Sequence, residues 1–486
     1  MKKGAENIIK ESLEDSSITK EKEEIVLSQV KDKLEKERTM KLSIKEGSTA
    51  SVMSGLTGDY VTPYALALNA SNAQIGFLSA FSGLIPPISQ IFGSRVMEKY
   101  SRKQIIFLFV TLQALMWLPI ALLSLFFWKN LLTNYLPAIL IIFYTLYAVL
   151  GAIAGPSWFS LLGDIVPEKI RGKYFGRRNK ICGFVTLISA MIAAFLLDYF
   201  KTKGLILLGF SILFVLASFF RLISATTFKK HYEPKLNLNK DYYFSIWQFI
   251  KKAPTNNFGR FVLFVASIYI GVTIAGPFFS VYMLKELGFS FTTYMFVNIS
   301  GSIFSLLFMP IWGKFSDKYG NRELLKIGSI FVSLLPIMWV FSKSSLYIIL
   351  VPQLISGIGW AAFNLAASNF IYDSVTPQRR GLCVAYYNIL VGVGIFIGGS
   401  VGGYLAQYLY SSLVSKFILI FIISGLVRTL ASLIFIPKIK EIKQVKKMGS
   451  SPLAYLHEIK PVTGVAYQLI DGVRQVNKKI RKIIKK

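Results

Sequence analysis

Histidine and cysteine are nearly missing: there are two of each in 486 residues. His231 and His457 stand far apart in polar, basic stretches, and Cys182 and Cys383 sit singly inside or beside apolar runs. No pairing or metal-ligand spacing results, so the cysteines read as free thiols and no disulfide framework or metal site is expected. No aspartate-rich metal motif, glycine-rich phosphate loop, or serine or cysteine with a base in reach is present. ATP hydrolysis and hydrolase chemistry therefore have no support, and neither an enzyme nor a cofactor is expected. Acid is scarce as well, with 25 Asp and Glu against 55 Lys and Arg, a net charge of +30. A nucleic-acid binder gathers such charge on a soluble domain. Here the bases lie between apolar runs and in the tails, so no nucleic acid partner is expected. Residues 1–46 alternate Lys and Glu without an apolar core, and no secretory leader is expected there.

What the chain has is apolar length. Hydrophobic residues make up 53% of it, and mean hydropathy is +0.52. Runs such as 104–128, 135–155, 204–220 and 417–437 carry few charges. Each is long enough for a helix to cross roughly 30 Å of hydrocarbon at about 1.5 Å per residue. About twelve such spans are expected, at 48–68, 73–93, 104–127, 135–162, 180–199, 204–226, 260–284, 291–312, 324–341, 346–371, 382–405 and 415–436. Alternate connections are basic: Arg95, Lys99, Arg102 and Lys103; Lys169, Arg171, Lys173, Arg177 and Arg178; Lys314, Lys318 and Arg322; Arg379 and Arg380. The other set holds only isolated lysines. Basic short loops stay in the cytoplasm, which places both termini there and the chain in the cytoplasmic membrane.

The expected organisation is a tail (1–46), a six-helix bundle (47–228), a linker (229–258), a second six-helix bundle (259–437) and a second tail (438–486). The linker segment at 242–254 is too short to cross, and its aromatics beside Lys251 and Lys252 fit a helix at headgroup level. In the second tail, Val462, Val465, Leu469, Val473, Val476, Ile480 and Ile483 recur at helical spacing among lysines and arginines. Such a basic amphipathic helix is expected on anionic lipid of the inner leaflet.

The halves repeat one another. "GKFSDKYGNR" from Gly313 matches "SRVMEKYSRK" from Ser94 at an offset of 219, with an acid at the fifth place of each. Asp164, Arg171, Gly172 and Asn179 recur as Asp373, Arg380, Gly381 and Asn388 at an offset of 209. Arg221 and Phe228 recur as Arg428 and Phe435. An acid there accepts hydrogen bonds from a neighbouring helix N-terminus and pairs with arginines, and glycine permits the tight turn. The expectation is a latch that holds while the inner ends of the halves are together and breaks when they part. Its members are Gly313, Asp317, Lys318, Gly320 and Arg322, with Glu98, Lys99 and Arg102, and Asp164, Arg171, Asp373 and Arg380.

At these residues the chain resembles the major facilitator superfamily, whose signature between helices two and three and again between eight and nine reads close to G-x-L-x-D-R-x-G-R-R. Gly313, Asp317, Lys318, Gly320 and Arg322 fit it, while the first copy departs at Ser94, Glu98 and Ser101. "GPSWFSLLGDIVPEKIRGKYFGRRN" and "WAAFNLAASNFIYDSVTPQRRG" look like a prokaryotic branch whose substrates are largely unassigned. The resemblance, over residues 47–437, implies an all-α membrane protein of twelve transmembrane helices in two pseudo-symmetric six-helix bundles. It also implies alternating access around a central cavity lined chiefly by helices one, four, seven and ten.

Glycine and proline interrupt corresponding spans at Gly55, Gly58 and Pro63 and at Gly271, Gly276 and Pro277, a pointer to a midplane site. Asp59 lies midway along the first span, where a carboxylate costs about 2.5–3.5 kcal/mol. It must face the cavity, be protonated or have a partner; it is the candidate for a proton, another cation or a cationic substrate group. Tyr60, Tyr64, Trp158, Trp360, Phe363, Asn364 and Asn369 are candidates for a cavity wall suited to an amphipathic organic molecule. Arg221 and Arg428 are tempting as anion ligands, but they lie toward the cytoplasmic ends of their spans and read rather as snorkelling or structurally paired. The function expected is secondary transport of a small organic solute by a monomer. The competing classes are a non-transporting receptor or scaffold and an intramembrane enzyme.

Overall fold

In an apolar medium a backbone has to satisfy its own hydrogen bonds, and helices do this within one segment. The computed structural model describes residues 20–97, 99–234, 245–410 and 414–445, and among them the regular structure is helical. The first half begins with α1 (Lys20–Thr57) and α2 (Val61–Ala67), followed by α3 (Asn72–Val96), α4 (Arg102–Leu115) and α5 (Trp117–Trp128). It ends with α6 (Leu136–Ile165), α7 (Arg171–Thr202) and α8 (Ile206–Phe228). The short α9 (Ile246–Lys252) precedes the second half, α10 (Asn257–Val281), α11 (Phe291–Tyr319), α12 (Asn321–Met338) and α13 (Ser345–Leu350). It closes with α14 (Pro352–Ser374), α15 (Pro377–Tyr408) and α16 (Lys416–Phe435). Sequence sets several starts directly: α3, α4 and α9 each open on a reciprocal Ser-x-x-Gln capping box, at Ser71, Ser101 and Ser245.

Ten stretches among the described residues are long and apolar enough to cross a membrane, with α4 and α5 forming one and α13 and α14 another. Two of the twelve expected spans do not qualify on those terms. The line of α1 and α2 is broken at residues 58–60, and α12 opens on Arg322, Glu323 and Lys326. Both nonetheless pack as members of the bundles, α1 against α7 and α8, and α12 against α14 and α16.

The duplication is visible in the packing. In the first half α1 meets α7 and α8, α6 meets α3 and α4, and α4 meets α8; in the second α10 meets α15 and α16, α14 meets α11 and α12, and α12 meets α16. The halves touch chiefly through α3 on α15 and α11 on α7, two contacts that exchange under the same correspondence, with smaller contacts of α10 on α2 and α3. That is the relation a two-fold axis between the halves requires. Glycine shapes the α3–α15 contact: a Cβ at Gly76 would run into the Gly399 carbonyl, and one at Gly392 would meet the Gly83 carbonyl. On the other side of α15, Gly394, Gly398 and Gly402 press on carbonyls of Ala266, Ile270 and Ile274 in α10. These glycines serve close packing.

The tail boundary expected at residue 46 falls inside a continuous helix. α1 runs unbroken from Lys20 and buries Thr39, Ser43 and Glu46. Thr39 accepts the Tyr232 N–H at 2.9 Å, and Glu46 takes the Ser224 hydroxyl at 2.9 Å and Arg178 at 3.4 Å. This end of α1 and the basic connections share one face, here the basic face; the opposite one is the far face. In α9, the described part of the segment at 242–254, Phe249 is buried while Trp247, Lys251 and Lys252 are exposed. The amphipathic pattern at 462–483, with its inner-leaflet lipid partner, lies outside the described residues.

Candidate functional site

Residues 58–60 interrupt the first helical line, and Asp59 stands in that gap. It is exposed, and its side of the gap forms part of the wall of a cavity of about 330 Å³. The first half contributes Asp59; the other lining residues come from α10, α11, α12, α14, α16 and the turn after α10. The cavity thus sits within the second half and is closed on one side by the first. Of the helices expected to line a central cavity, the first, seventh and tenth spans contribute to this one, and α6, the fourth span, does not. Tyr294 of α11 donates to the Asp59 backbone carbonyl at 2.9 Å and shares a 3.1 Å hydrogen bond with Ser280, tying the halves at the cavity. Among the described residues the Asp59 carboxylate has no hydrogen-bond or ion-pair partner.

The cavity also holds a cation. Arg428, on α16, is 1% exposed and lines it together with Gln353, Ser356, Trp360 and Asn298. Its Nη1 donates to the Val332 carbonyl at 2.8 Å, and its Nε has no partner. Arg428 does not snorkel. Its stem is pressed against Gly271, where a Cβ would come within 2.6 Å of Cγ. The matching Arg221 behaves differently, its Nε and Nη2 reaching Gln113 Oε1 at 3.0 and 2.8 Å. Structural pairing, one of the readings offered for both arginines, describes Arg221.

Of the expected wall residues, Asp59 and Trp360 reach this cavity. Tyr60 and Tyr64 are fully buried inside the first half, donating to the Ala190 carbonyl at 2.5 Å and the Ile120 carbonyl at 2.9 Å. The turn at residues 58–60 rotates α2 so that both rings face α7 and α5. Trp158 lies under the Arg178 guanidinium at 4.8 Å. Phe363 is core, Asn364 is exposed and does not line this cavity, and Asn369 bonds Asn321 at 3.2 Å near the basic face. Sequence reasoning weighed Arg428 as an anion ligand and set it aside as snorkelling or paired, and it missed Asn298, Gln353 and Ser356. The available signal was a pair of polar residues one turn apart, Gln353 and Ser356, at the start of an apolar span.

The latch residues assemble differently from the expectation. Buried Arg102 pairs with Asp164 at 2.5 Å and with Glu233, which also accepts the Arg102 backbone N–H at 2.8 Å. In the second half Asn321 takes the place of Arg102 and bonds Asp373 at 2.6 Å, while Glu441 accepts the Arg322 N–H at 2.7 Å. Gly320 adopts φ +90 in the α11–α12 turn, with Glu441 filling the space a side chain would need. All of these contacts join helices within one half. Asp317 is exposed and pairs with nothing among the described residues, and Gly313 faces open space. Lys318 lies over the Tyr319 ring at 4.5 Å, and Lys99 is exposed. Arg171 reaches the Gly163 carbonyl at 3.1 Å and Arg380 stacks on Tyr372 at 4.7 Å. Glu98 lies outside the described residues. The contact that joins the halves at a helix end is on the far face instead. There Asp198 of α7 accepts the Phe291 and Thr292 N–H groups of α11 at 2.7 and 2.8 Å and the Thr292 hydroxyl at 2.6 Å.

Two packed helical halves of membrane-crossing length, joined around a cavity with a carboxylate from one and a guanidinium from the other, define a multi-pass membrane protein with an internal cavity. The sequence model of the Major Facilitator Superfamily matches residues 48–267 and 261–467, and the chain belongs to that superfamily of membrane transporters. It is similar to an MFS-type transporter of Methanocaldococcus jannaschii, at 23% identity over 71% of this chain and 85% of the relative. A multidrug resistance protein of Bacillus subtilis matches at 25% identity over 28% of this chain and 34% of its own length. Among solved structures, a nucleoside transporter, NupG, superimposes with a TM-score of 0.62 at 15% identity, covering 82% of this chain and 100% of that one. The xylose transporter XylE from E. coli gives 0.60 at 14% identity over 84% and 100%.

Proposed function

We propose that this chain is a secondary active transporter that moves a small organic solute by alternating access, coupled to a proton or another cation through Asp59. In this reading twelve helices cross the cytoplasmic membrane as two six-helix bundles, the basic face and both termini lie in the cytoplasm, and the protein acts as a monomer. The observation that carries it is the place of Asp59. A solute in the cavity touches the second half on every other side and meets the first half there. Occupancy is thereby sensitive to how the halves sit, which is what coupling a site to a rocking motion needs. The far-face contact at Asp198 and the unpaired Asp317 on the basic face fit a state closed on one side, with the latch expected at Asp317 made in the other. The basic connections favour the stated orientation.

Solute flux into reconstituted vesicles under an imposed proton gradient tests this. The wild type is expected to accumulate solute with the gradient. Asp59→Asn is expected to lose accumulation at least about tenfold while still exchanging solute across the membrane. Full gradient-driven accumulation by Asp59→Asn rejects the coupling role, and no flux of any solute rejects transport.

A further inference from the structure

Arg428 presents a physical problem that the fold does not solve internally. A guanidinium carries five N–H donors and stays charged under all ordinary conditions. Here it is 1% exposed, and its hydrogen bonding among the described residues amounts to the Val332 carbonyl, with Nε left without a partner. Among the described residues no carboxylate lies within ion-pair distance of it. Burying a lone cation is costly, and proteins keep such groups where a counter-charge arrives.

The duplication shows how this came about. Arg221 holds the corresponding place on α8, and its fork is met by Gln113 Oε1 from α4. The offset of 219 that relates these regions puts Val332 of α12 where Gln113 stands. The second half therefore has the arginine without the side chain that satisfies it, and the same half has the cavity. Gln353 and Ser356, one turn apart on α14, and Asn298 on α11 line that cavity with Arg428 and offer amide and hydroxyl donors. Trp360 and Trp339 supply flat apolar walls. Asp59 lines the same cavity but is exposed and makes no ion pair with Arg428, so the buried guanidinium is left without a counter-charge among the described residues.

We infer that the cavity binds a small organic anion, with a carboxylate or phosphate held by Arg428 and an apolar or aromatic body against Trp360. A planar guanidinium matches both oxyanions with two parallel hydrogen bonds. A volume of about 330 Å³ admits a molecule of a few rings at most. The inference names a substrate class for the transporter proposed above and rests on that reading for its physiological meaning, but the binding itself requires no transport.

Trp339 and Trp360 provide the readout, since both line the site. The purified full chain in lipid nanodiscs is titrated to 20 mM with four probes of matched size: benzoate, phenyl phosphate, benzylammonium and benzyl alcohol. Benzoate or phenyl phosphate, or both, are expected to quench tryptophan fluorescence saturably, and the stronger of the two identifies the oxyanion. The cation and the alcohol are expected to leave it unchanged. Arg428→Met, which keeps the volume and removes the charge, is expected to weaken anion quenching at least about tenfold. Its melting temperature without ligand is expected to equal or exceed that of the wild type, because a merely structural arginine would leave the variant less stable. Arg221→Met is the control, expected to melt earlier, with Gln113 stripped of its partner, and to retain anion quenching. Equal quenching by benzylammonium, unchanged anion quenching in Arg428→Met, or no quenching by either anion overturns the inference. A chain that binds benzoate but moves nothing in vesicles fails the transporter reading alone; one that accumulates only cations and ignores both anions fails this inference alone.

Discussion

His231 stacks on Phe228 at 4.3 Å with its ring 1% exposed, just past the end of α8. Nδ1 lies 3.3 Å from the Thr227 carbonyl and Nε2 has no partner. Burial, reinforced by the Lys103 and Arg178 charges, pushes its pKa down to about 4. The unfolded chain binds this proton near pH 6.5, so between about 6.5 and 4 unfolding takes up a proton that the native state refuses. This contribution to stability is complete above pH 6.5 and is lost as pH falls toward 4, at up to about 1.4 kcal/mol per pH unit. Unfolding followed by circular dichroism at pH 7, 6, 5 and 4 is expected to show that slope in the wild type and to lose His231's part of it in His231→Phe. At this scale the sequence was only partly legible. Asp59 announced itself as an acid in an apolar run, and the structure puts it on a cavity wall. Arg428 stood out as a possible anion ligand but was read as snorkelling or paired, because whether an arginine near a span end reaches lipid depends on the face of α16 it occupies. Only packing α12 against α16 reveals that its neighbour is a valine where Arg221 has an amide.

Helix ends decide how the elements meet. The first N–H groups of α11 are satisfied by two sources: Ser290 from its own chain takes the Thr293 N–H at 3.0 Å, and Asp198 from the other half takes the two before it. A carboxylate at that position gains both the hydrogen bonds and the favourable end of the helix dipole. Asp198→Ala removes a cap worth about 1–2 kcal/mol, and only in the state where the far face is closed. Reagent access from that face is therefore expected to rise about fivefold to thirtyfold. The measurement is labelling of Asn298→Cys by a membrane-impermeant maleimide, with Cys182 and Cys383 replaced by serine; unchanged labelling removes Asp198 from the closure. The spans themselves were legible from apolar length, and α3, α4 and α9 open where Ser-x-x-Gln stands. The cap on α11 was not legible, since Asp198 lies 93 positions away in sequence and looked like an ordinary acid at the end of a span.

The whole molecule is two halves held chiefly by two unequal contacts, α3 on α15 and α11 on α7. Repeat spacings of 219 and 209 made the duplication readable, and the recurring helix pairings agree with it. Which helices join the halves was not readable, because glycines in α15 mark close approach without naming the partner. Gly76→Ala adds one methyl where the Gly399 carbonyl and Gly403 Cα already stand, and is expected to destabilise the chain by about 1–3 kcal/mol. Gly155→Ala, on α6 with open space around the new carbon, is expected to be neutral or stabilising by up to about 1 kcal/mol. Melting temperatures of the two variants check the contrast.

The α3–α15 contact carries a mechanical consequence. Where two helices meet through side chains, turning one on the other means lifting each chain from its groove and changing its rotamer. Gly76, Gly399 and Gly403 bring backbone against backbone there, so little interlocks at those points and small rotations leave the spacing nearly unchanged. The pair behaves as a plain bearing, and the far-face cap at Asp198 is the catch whose release lets it turn.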